Sequence, residues 1–233
     1  MFVAGIKKIQ RAMFPVFRCD QLQPGQLSIG VVGTGFFVNS HGVFASVEHV
    51  FSNKNDHTQF IFPGWLPDNV VNPSLAIEEV ARDQGKDIFL GKVNIETPDF
   101  AKLSPEVGDV GKSLCIGGYP LSALEADGKG GINVIKVRRY FQPSFLLDFA
   151  ESQIVDKQGV VRVHTGQLIR DVGLFGMSGG PVFDTDGRVF GMQASTSQRS
   201  STNGERTINV ENAVAVSGNL ILALMKASNL SND

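Results

Sequence analysis

The sequence predicts an all-β fold that ends in a single helix, and three observations support this prediction. The 233-residue chain contains 26 glycines and 10 prolines, which favour short strands joined by tight turns over long helices. Short apolar runs broken by turn residues recur from about residue 28 onward. A helical pattern that Ser217 can cap then closes the chain, with apolar residues on one face at Leu220, Ile221, Leu224 and Met225. The length suits either one large all-β domain or two small barrels that share an interface.

Two series of strands are expected, one on each side of a polar, turn-rich stretch at residues 98–112. The first series comprises residues 28–38, 43–47, 59–62, 75–77 and 88–90. The second comprises residues 113–116, 133–137, 160–164, 181–183, 189–192 and 213–216, and a turn at residues 184–187 joins two of them as a hairpin. The predicted organisation is an arm or short helix at 1–17, two β units at 18–104 and 105–216, and a helix with a tail at 217–233.

Composition and charge exclude several classes of protein. With 42% hydrophobic and 19% charged residues, the chain can bury a core and is not globally disordered. A net charge of −2 and dispersed basic residues argue against a nucleic-acid partner. No run approaches the length of a membrane span, and the first residues lack the apolar region of a signal peptide. We therefore expect no membrane partner and a cytoplasmic location.

Cysteine and aromatic residues point to packing rather than to a cofactor. Cys19 and Cys115 can form at most one disulfide, and free buried thiols are the expected state. The 17 phenylalanines are interpreted as core filling. No cofactor and no metal site are expected.

The strongest local signal is the segment Gly-Met-Ser-Gly-Gly-Pro at residues 176–181. A serine hydroxyl is a poor nucleophile at neutral pH unless a base takes its proton, and the reaction also needs backbone N–H groups aimed at the developing oxyanion. Glycines beside the serine let the backbone fold tightly, so that N–H groups can converge there. A bare Gly-Ser-Gly would fit an ordinary turn, but this longer segment with the strand and turn after it indicates a nucleophile at Ser178.

His49 is the preferred base among four histidines. It follows the strand at 43–47, where an imidazole can project from a rigid scaffold into a cleft. The other three histidines lie in a hairpin turn, in a polar loop and in an alternating strand, and they are weaker candidates: His41, His57 and His164.

Asp87 is the preferred carboxylate because it directly precedes the apolar run at 88–90. A carboxylate in that position can hold a histidine in the required tautomer and stabilise its cation. Asp83 and Asp99 are competitors, since an aspartate before apolar residues is a common pattern.

These segments resemble the triad blocks of the chymotrypsin-like (trypsin-like) serine peptidases, and they resemble the disulfide-poor bacterial and viral branches, including HtrA-type proteases, more than the digestive enzymes. GTGFFVNSHGVFASVEHV is similar to the strand, hairpin and histidine block, KDIFLGKV to the aspartate block, and GMSGGPVFDTDGRVFGMQAS to the serine block. The resemblance implies two packed six-stranded antiparallel β-barrels, with His49 and Asp87 in the first and Ser178 in the second. It also implies a serine endopeptidase that acts on a polypeptide substrate.

Chain order separates this resemblance from two other hydrolase classes. Residues 176–180 also fit the G-x-S-x-G elbow of α/β-hydrolases, but those enzymes carry the histidine after the serine, whereas all four histidines here precede Ser178. Subtilisin-like enzymes need the order Asp, His, Ser within a helix-rich fold. The order His49, Asp87, Ser178 is the chymotrypsin-like one.

The resemblance assigns a role to each site residue. Ser178 attacks the scissile carbonyl, His49 removes its proton and later protonates the leaving amine, and Asp87 orients His49. The backbone N–H groups of Gly176 and Ser178 form the oxyanion hole.

The resemblance also suggests where substrate side chains and backbone bind. Val172, six residues before the serine, would form the base of the S1 pocket and favour an apolar or small P1 side chain. A shift of one residue would bring Asp171 there and favour Lys or Arg. The segment Ala194, Ser195, Thr196 would pair with the substrate backbone as an added strand, and Thr196 would narrow the pocket.

Two departures from the trypsin pattern leave other readings open. Met177 stands where trypsin-like members carry an aspartate, and no Ile-Val-Gly-Gly activation sequence is present, so we expect no zymogen switch of that kind. Glu48 replaces the usual small residue before the histidine and could perturb the site. The alternatives are an inactive binding module on the same fold, a latent protease that needs an activating protein partner, and an esterase or acyltransferase with the same triad.

Overall fold

The computed structural model describes residues 1–23, 26–52, 57–64, 75–126, 132–155, 161–203 and 206–233. The described residues form three helices and sixteen strands, numbered below in chain order. Residue 160, predicted to begin a strand, and the side chain of His164 lie outside the described part.

The first half of the chain forms a curled antiparallel sheet of seven strands, preceded by helix α1 (Val3–Ala12). Its strands, joined in the spatial order β5-β4-β1-β2-β3-β7-β6, are β1 (Met13–Gln23), β2 (Gln26–Phe37), β3 (Val43–Ser46), β4 (Thr58–Phe62), β5 (Leu75–Ala76), β6 (Glu78–Asp83) and β7 (Ile88–Lys92). A single helical turn, α2 (Glu48–Phe51), follows β3. The first strand of the sheet begins at residue 13, and residues 13–17 are buried as part of β1.

The second half forms a closed barrel and ends in a helix. Its elements are β8 (Lys102–Leu103), β9 (Ser113–Gly118), β10 (Ala123–Ala126), β11 (Ile132–Lys136), β12 (Tyr140–Val155), β13 (Val161–Ile169), β14 (Pro181–Phe183), β15 (Arg188–Asn203), β16 (Arg206–Ser217) and α3 (Gly218–Ala227). Strands β14-β9-β12-β13-β16-β15 form a ring, which the pairing of β14 with β15 closes. Strand β8 adds to β15 in parallel, and β10 with β11 forms a separate ribbon.

The predicted all-β architecture of two antiparallel barrel sheets with a C-terminal helix is confirmed. The sequence did not predict five of the described strands: β1, β6, β8, β10 and β12. Strands β8 and β10 are only two and four residues long. The apolar start of β1 was assigned to the arm. Strand β6 is an edge strand with exposed polar residues. Strand β12 carries a proline at Pro143, opposite Cys115 of β9, and proline lowers the expectation of a strand.

Aromatic side chains fill the core of the first sheet. The ring centroids of Phe14 and Phe37 are 4.8 Å apart, and those of Phe51 and Phe89 are 3.8 Å apart in a stacked pair. The interpretation of phenylalanine as core filling holds for most of the residues described, but Phe145, Phe149 and Phe175 are exposed. The barrel of the second half has an aliphatic core instead, built around residues such as Leu114, Ile116 and Ile169.

Within the ranges described, no helix combines the length and the apolar character that crossing a bilayer requires.

Candidate active site

His49 lies at the end of a buried strand of the first sheet. All four residues of β3 are buried, and β3 pairs with β2 on one side and with β7 on the other. The chain then enters α2, in which His49 is the second residue. The His49 side chain is 39% exposed, so the imidazole is anchored on the sheet yet reaches solvent.

Asp87 holds both the backbone and the ring of His49. One carboxylate oxygen, Oδ1, accepts from the His49 backbone N–H at 2.9 Å, and the other, Oδ2, is 2.7 Å from His49 Nδ1. The Asp87 carbonyl also accepts from the backbone N–H of Glu48 at 3.2 Å. Asp87 adopts φ +55°, a left-handed conformation that aspartate tolerates better than most residues. The Asp87 side chain is only 2% exposed, so its pairing with His49 is protected from water.

The competing residues contact other groups. Asp83 pairs with Lys86 at 2.7 Å, and Asp99 lies 3.9 Å from Arg11. His41 is exposed and lies 3.2 Å from Glu96. His57 occupies an exposed turn, as predicted.

The serine lies in a tight loop between β13 and β14. Backbone bonds from Met177 N–H to the Leu174 carbonyl (2.9 Å) and from Gly180 N–H to the Met177 carbonyl (2.8 Å) fold this loop around Ser178. The segment at residues 173–180 is called the nucleophile loop below, after the role predicted for Ser178 from the sequence. Met177 is fully buried and Ser178 is half-buried, so the serine lies at the surface of the barrel.

Two glycines of the nucleophile loop adopt positive φ values, the conformation that favours glycine. Gly176 and Gly179 have φ values of +94° and +86°. A Cβ atom at Gly176 would lie 2.5 Å from the Tyr119 carbonyl oxygen, and one at Gly179 would lie 2.1 Å from the Thr34 carbonyl oxygen. Both the conformation and the close approach therefore exclude larger residues.

Two backbone N–H groups of the nucleophile loop are free to bind a ligand. Among the described residues, the N–H groups of Gly176 and Ser178 donate no hydrogen bond, whereas their neighbour Gly179 donates to the Gln193 carbonyl at 2.7 Å. These are the two groups that the sequence analysis assigned to an oxyanion hole.

The nucleophile loop meets the first sheet at Gly33 and Thr34. The Thr34 N–H donates to the Ser178 carbonyl at 2.8 Å. A Cβ atom at Gly33 would lie 2.9 Å from that carbonyl oxygen and 2.7 Å from Cγ2 of Val50, the residue after His49. Ser178 and the histidine segment therefore approach the same point of β2. From the sequence, Gly33 and Thr34 were recognised only as part of a strand motif, and this contact was not predicted.

The predicted substrate-binding residues lie next to the nucleophile loop. Ala194, Ser195 and Thr196 belong to β15, where a register shift occurs between Gln193 and Ser195. The Thr196 hydroxyl donates to the Gly173 carbonyl at 3.2 Å, which ties this strand to the start of the loop. Val172, just before that glycine, is half-buried.

Glu48 is buried and paired rather than free to perturb His49. Its side chain is fully buried, and Arg82 Nη1 donates to Glu48 Oε1 at 2.8 Å. The remaining guanidinium nitrogens of Arg82 bind Glu79 at 3.0 and 2.6 Å. The charge of Glu48 is therefore balanced by Arg82.

Both cysteines are free thiols. Cys115 is buried, and this burial raises its pKa to about 12. Cys19 is half-buried, where the prediction was a buried thiol, and burial together with the charge of Asp20 raises its pKa.

No group of three or more metal-ligating side chains occurs among the described residues. A cavity of about 420 Å³ lies elsewhere, between α1 and the turn after β14, and its lining mixes both charges: Lys8, Lys102, Asp184, Asp186 and Arg188. None of the predicted site residues lines it, so it is separate from the site at His49.

Comparisons with known proteins identify the family and the fold of the chain. Residues 33–192 match the family described as the trypsin-like peptidase domain. No curated protein sequence gives a significant match. One similar solved structure is the Rv3671c protease from M. tuberculosis in its active form, with 16% identity, a TM-score of 0.64, and coverage of 97% of this chain and 85% of that chain. The serine endoprotease from Yersinia pestis has 13% identity and a TM-score of 0.65, with coverage of 98% of this chain and 66% of that chain. The HtrA-type protease AlgW with a decapeptide has 13% identity and a TM-score of 0.68, with coverage of 98% of this chain and 67% of that chain. The chain thus spans about two thirds of the length of the last two proteins.

Proposed function

Because the chain belongs to the family of trypsin-like peptidases, we propose that Ser178, His49 and Asp87 form the catalytic triad of a peptide-bond hydrolase. Its fold and its family are those of a serine endopeptidase. The observation that carries the proposal is the pair of bonds from the buried Asp87 carboxylate to the ring and the backbone of His49.

The Asp87 carboxylate determines which nitrogen of His49 is basic. An ionised carboxylate only accepts hydrogen bonds, so His49 Nδ1, at 2.7 Å from Asp87 Oδ2, carries the proton. This leaves Nε2 as an acceptor for the Ser178 hydroxyl proton. Once His49 has taken that proton, Asp87 stabilises the imidazolium cation.

The reaction proceeds in two steps of acyl transfer. Ser178 Oγ bonds to the scissile carbonyl carbon while its proton passes to His49. The tetrahedral intermediate then expels the amine, which takes the proton from His49, and an acyl-enzyme remains on Ser178. A water molecule then gives a proton to His49 and bonds to the acyl carbon of the ester. The bond from that carbon to Ser178 Oγ breaks, His49 returns the proton to Oγ, and the acid is released.

The free N–H groups of Gly176 and Ser178 suit the oxyanion of both intermediates. They belong to the same short segment as the nucleophile, and their donors are already unoccupied, so no bond must be broken when charge develops.

The open side of β15 supports the proposed peptide site. Strand β14 pairs with β15 only up to Met192. One residue further along β15, the Gln193 N–H donates to the Gly180 carbonyl and the Gln193 carbonyl accepts from the Gly179 N–H. In the part of the chain that the structure describes, no strand pairs with residues 194–196 on that side. A substrate strand that used the Ser195 carbonyl would displace the Gln193 side-chain amide, which donates to it at 2.8 Å.

The proposal extends to the P1 side chain that the S1 pocket binds and to the activation of the enzyme. With Val172 at the base of S1, we expect an apolar or small P1 residue, and with Asp171 there, Lys or Arg. Met177 is buried in the aliphatic core, which leaves no charge at this position to pair with a freed N-terminus. An activating protein partner and a cytoplasmic location remain predictions from the sequence.

Labelling with a fluorophosphonate tests the proposal directly. The wild-type protein, Ser178→Ala and His49→Ala are labelled in parallel and then given a peptide library and a small ester. Labelling of the wild type alone, with cleavage of peptides, is the expected result.

The other outcomes identify the competing readings. Absence of labelling in a folded wild-type protein would overturn the proposed activity of the isolated chain. Labelling restored by a second protein would identify a latent protease. Cleavage of esters without cleavage of any peptide would identify an esterase.

A further inference from the structure

Thr34 is the residue through which the first sheet contacts the nucleophile loop. It is fully buried on β2, and every polar group it has is used. Its N–H donates to the Ser178 carbonyl (2.8 Å), and its hydroxyl donates to the Gly176 carbonyl (2.8 Å). The hydroxyl also accepts from the Tyr119 N–H (3.1 Å), and the Thr34 carbonyl accepts from the Ser46 hydroxyl (2.7 Å).

We propose that Thr34 is a positioning residue that fixes the backbone conformation of residues 176–178 and thereby the direction of the Ser178 N–H group, one of the two proposed oxyanion donors. This inference rests on the proposed function. The two bonds from Thr34 hold the carbonyls at both ends of this segment, those of Gly176 and Ser178. The peptide planes between them carry the nucleophile and one of the two donors.

The conformational freedom of glycine explains why such a restraint is needed. Gly176 at φ +94° has no Cβ, so its own sterics permit several orientations of the following peptide. The hydroxyl of Thr34 selects one of them by binding the Gly176 carbonyl. The restraint therefore comes from the other half of the chain, 142 residues away in sequence.

The proposed role requires the hydrogen bonds of the Thr34 hydroxyl, and a side chain of the same shape without a hydroxyl would not perform it. Valine has nearly the shape of threonine but can neither donate to the Gly176 carbonyl nor accept from the Tyr119 N–H. Both groups would then lose their hydrogen bond to Thr34, and the loop would move to compensate for the lost bonds. Serine keeps both bonds and loses only the methyl group.

The test compares three variants with the wild type. Thr34→Val removes the hydroxyl, Thr34→Ser retains it, and Thr97→Val is the matched control. Thr97 is also buried, but its hydroxyl bonds locally to Asp99, at 3.2 Å. The measurements are the rate of fluorophosphonate labelling, kcat and KM for a peptide ester, and the pH profile of kcat/KM.

We expect Thr34→Val to lower the labelling rate and kcat about tenfold or more, because the Ser178 N–H group loses its alignment. KM and the midpoints of the pH profile should stay as in the wild type, since the bonds between His49 and Asp87 are untouched. Thr34→Ser should recover most of the rate, and Thr97→Val should match the wild type.

Several results would overturn the inference. These are a wild-type rate in Thr34→Val, a rate in Thr34→Ser as low as in Thr34→Val, or a shifted pH midpoint, which would move the effect to His49. If Thr34→Val does not fold, alanine at positions 34 and 97 repeats the comparison.

Failure of the proposed function is distinguishable from failure of this inference. If the wild type is not labelled at all, amide hydrogen exchange at residues 176–180 reports on the loop directly. Faster exchange in Thr34→Val than in Thr97→Val supports the positioning role, and equal exchange overturns it.

Discussion

The His49–Asp87 pair and the nucleophile loop are fixed by different means. The pair is held by side-chain bonds between two residues of the first sheet, where β3 and β7 are neighbours. The nucleophile loop is rich in glycine and is held mainly by backbone groups and by residues outside it, including Thr34 and Gln193. The proposed acid–base half of the site thus carries its own geometry, whereas the proposed nucleophile half takes its geometry from the rest of the molecule.

Asp87→Asn should produce the largest effect, and it tests the self-contained half of the site. Asparagine keeps the shape and tolerates φ +55°, but its amide group can donate to His49 and favour the wrong tautomer. We expect kcat to fall by about 10³–10⁴-fold with the fold retained. Peptide-ester kinetics measure kcat, and circular dichroism measures whether the fold is retained. A loss below about tenfold would show that His49 does not depend on Asp87.

Gly176→Ala should produce the next largest effect, and it tests the nucleophile loop, whose geometry depends on the rest of the molecule. The added Cβ meets the Tyr119 carbonyl at 2.5 Å, and the positive φ is strained for alanine. Displacing an oxyanion donor lowers the labelling rate by about 10²–10³-fold.

Gly111→Ala is the matched control for strain without displacement. Gly111 has φ +87°, and a Cβ there meets nothing within 4 Å. We expect a loss of stability of about 1–3 kcal/mol with an unchanged labelling rate per folded molecule. Equal rates in the two alanine variants would contradict the assignment of Gly176.

Arg82→Met should destabilise the first sheet without touching the nucleophile loop. It removes the Arg82 guanidinium, which lies 2.8 Å from the buried Glu48 carboxylate, at a cost of about 3–5 kcal/mol in the free energy of unfolding. The double variant Arg82→Met with Glu48→Gln should recover part of this loss, because no buried charge remains. Urea unfolding measures the free energy of unfolding of both variants. If Arg82→Met were as stable as the wild type, the pair of Glu48 and Arg82 would contribute nothing to stability.

Thiol alkylation should show the smallest effect and compares the cores of the two halves. At about pH 8, Cys115 stays protonated and buried, since its pKa is raised to about 12 and only the thiolate reacts. Cys19 is half-buried with a raised pKa and should react slowly, faster as the pH rises. Mass spectrometry after iodoacetamide treatment reads both sites. Rapid modification of Cys115 would indicate local opening of the second barrel.

Prediction from the sequence succeeded where the signal is a local pattern of residues, either the alternation of a strand or a short motif next to an apolar run. The alternation and turn pattern identified most strands, and the residues chosen next to apolar runs, His49 and Asp87, are in contact. The role of Thr34 and the pairing of Glu48 with Arg82 were out of reach, since each depends on a partner whose distance along the chain the sequence does not reveal. Edge strand β6 was missed because its exposed residues carry no apolar alternation.

The connection of Thr34 to Gly176, across 142 residues of chain, has a consequence for the order of folding. Closing so long a loop costs entropy that only later contacts repay, so we expect this contact to form after the separate sheets have formed. A chain with only one sheet complete would then hold a paired His49 and Asp87 but an unset nucleophile loop. Nascent and damaged chains would be inert toward their neighbours, and the last folding step would also switch on cleavage.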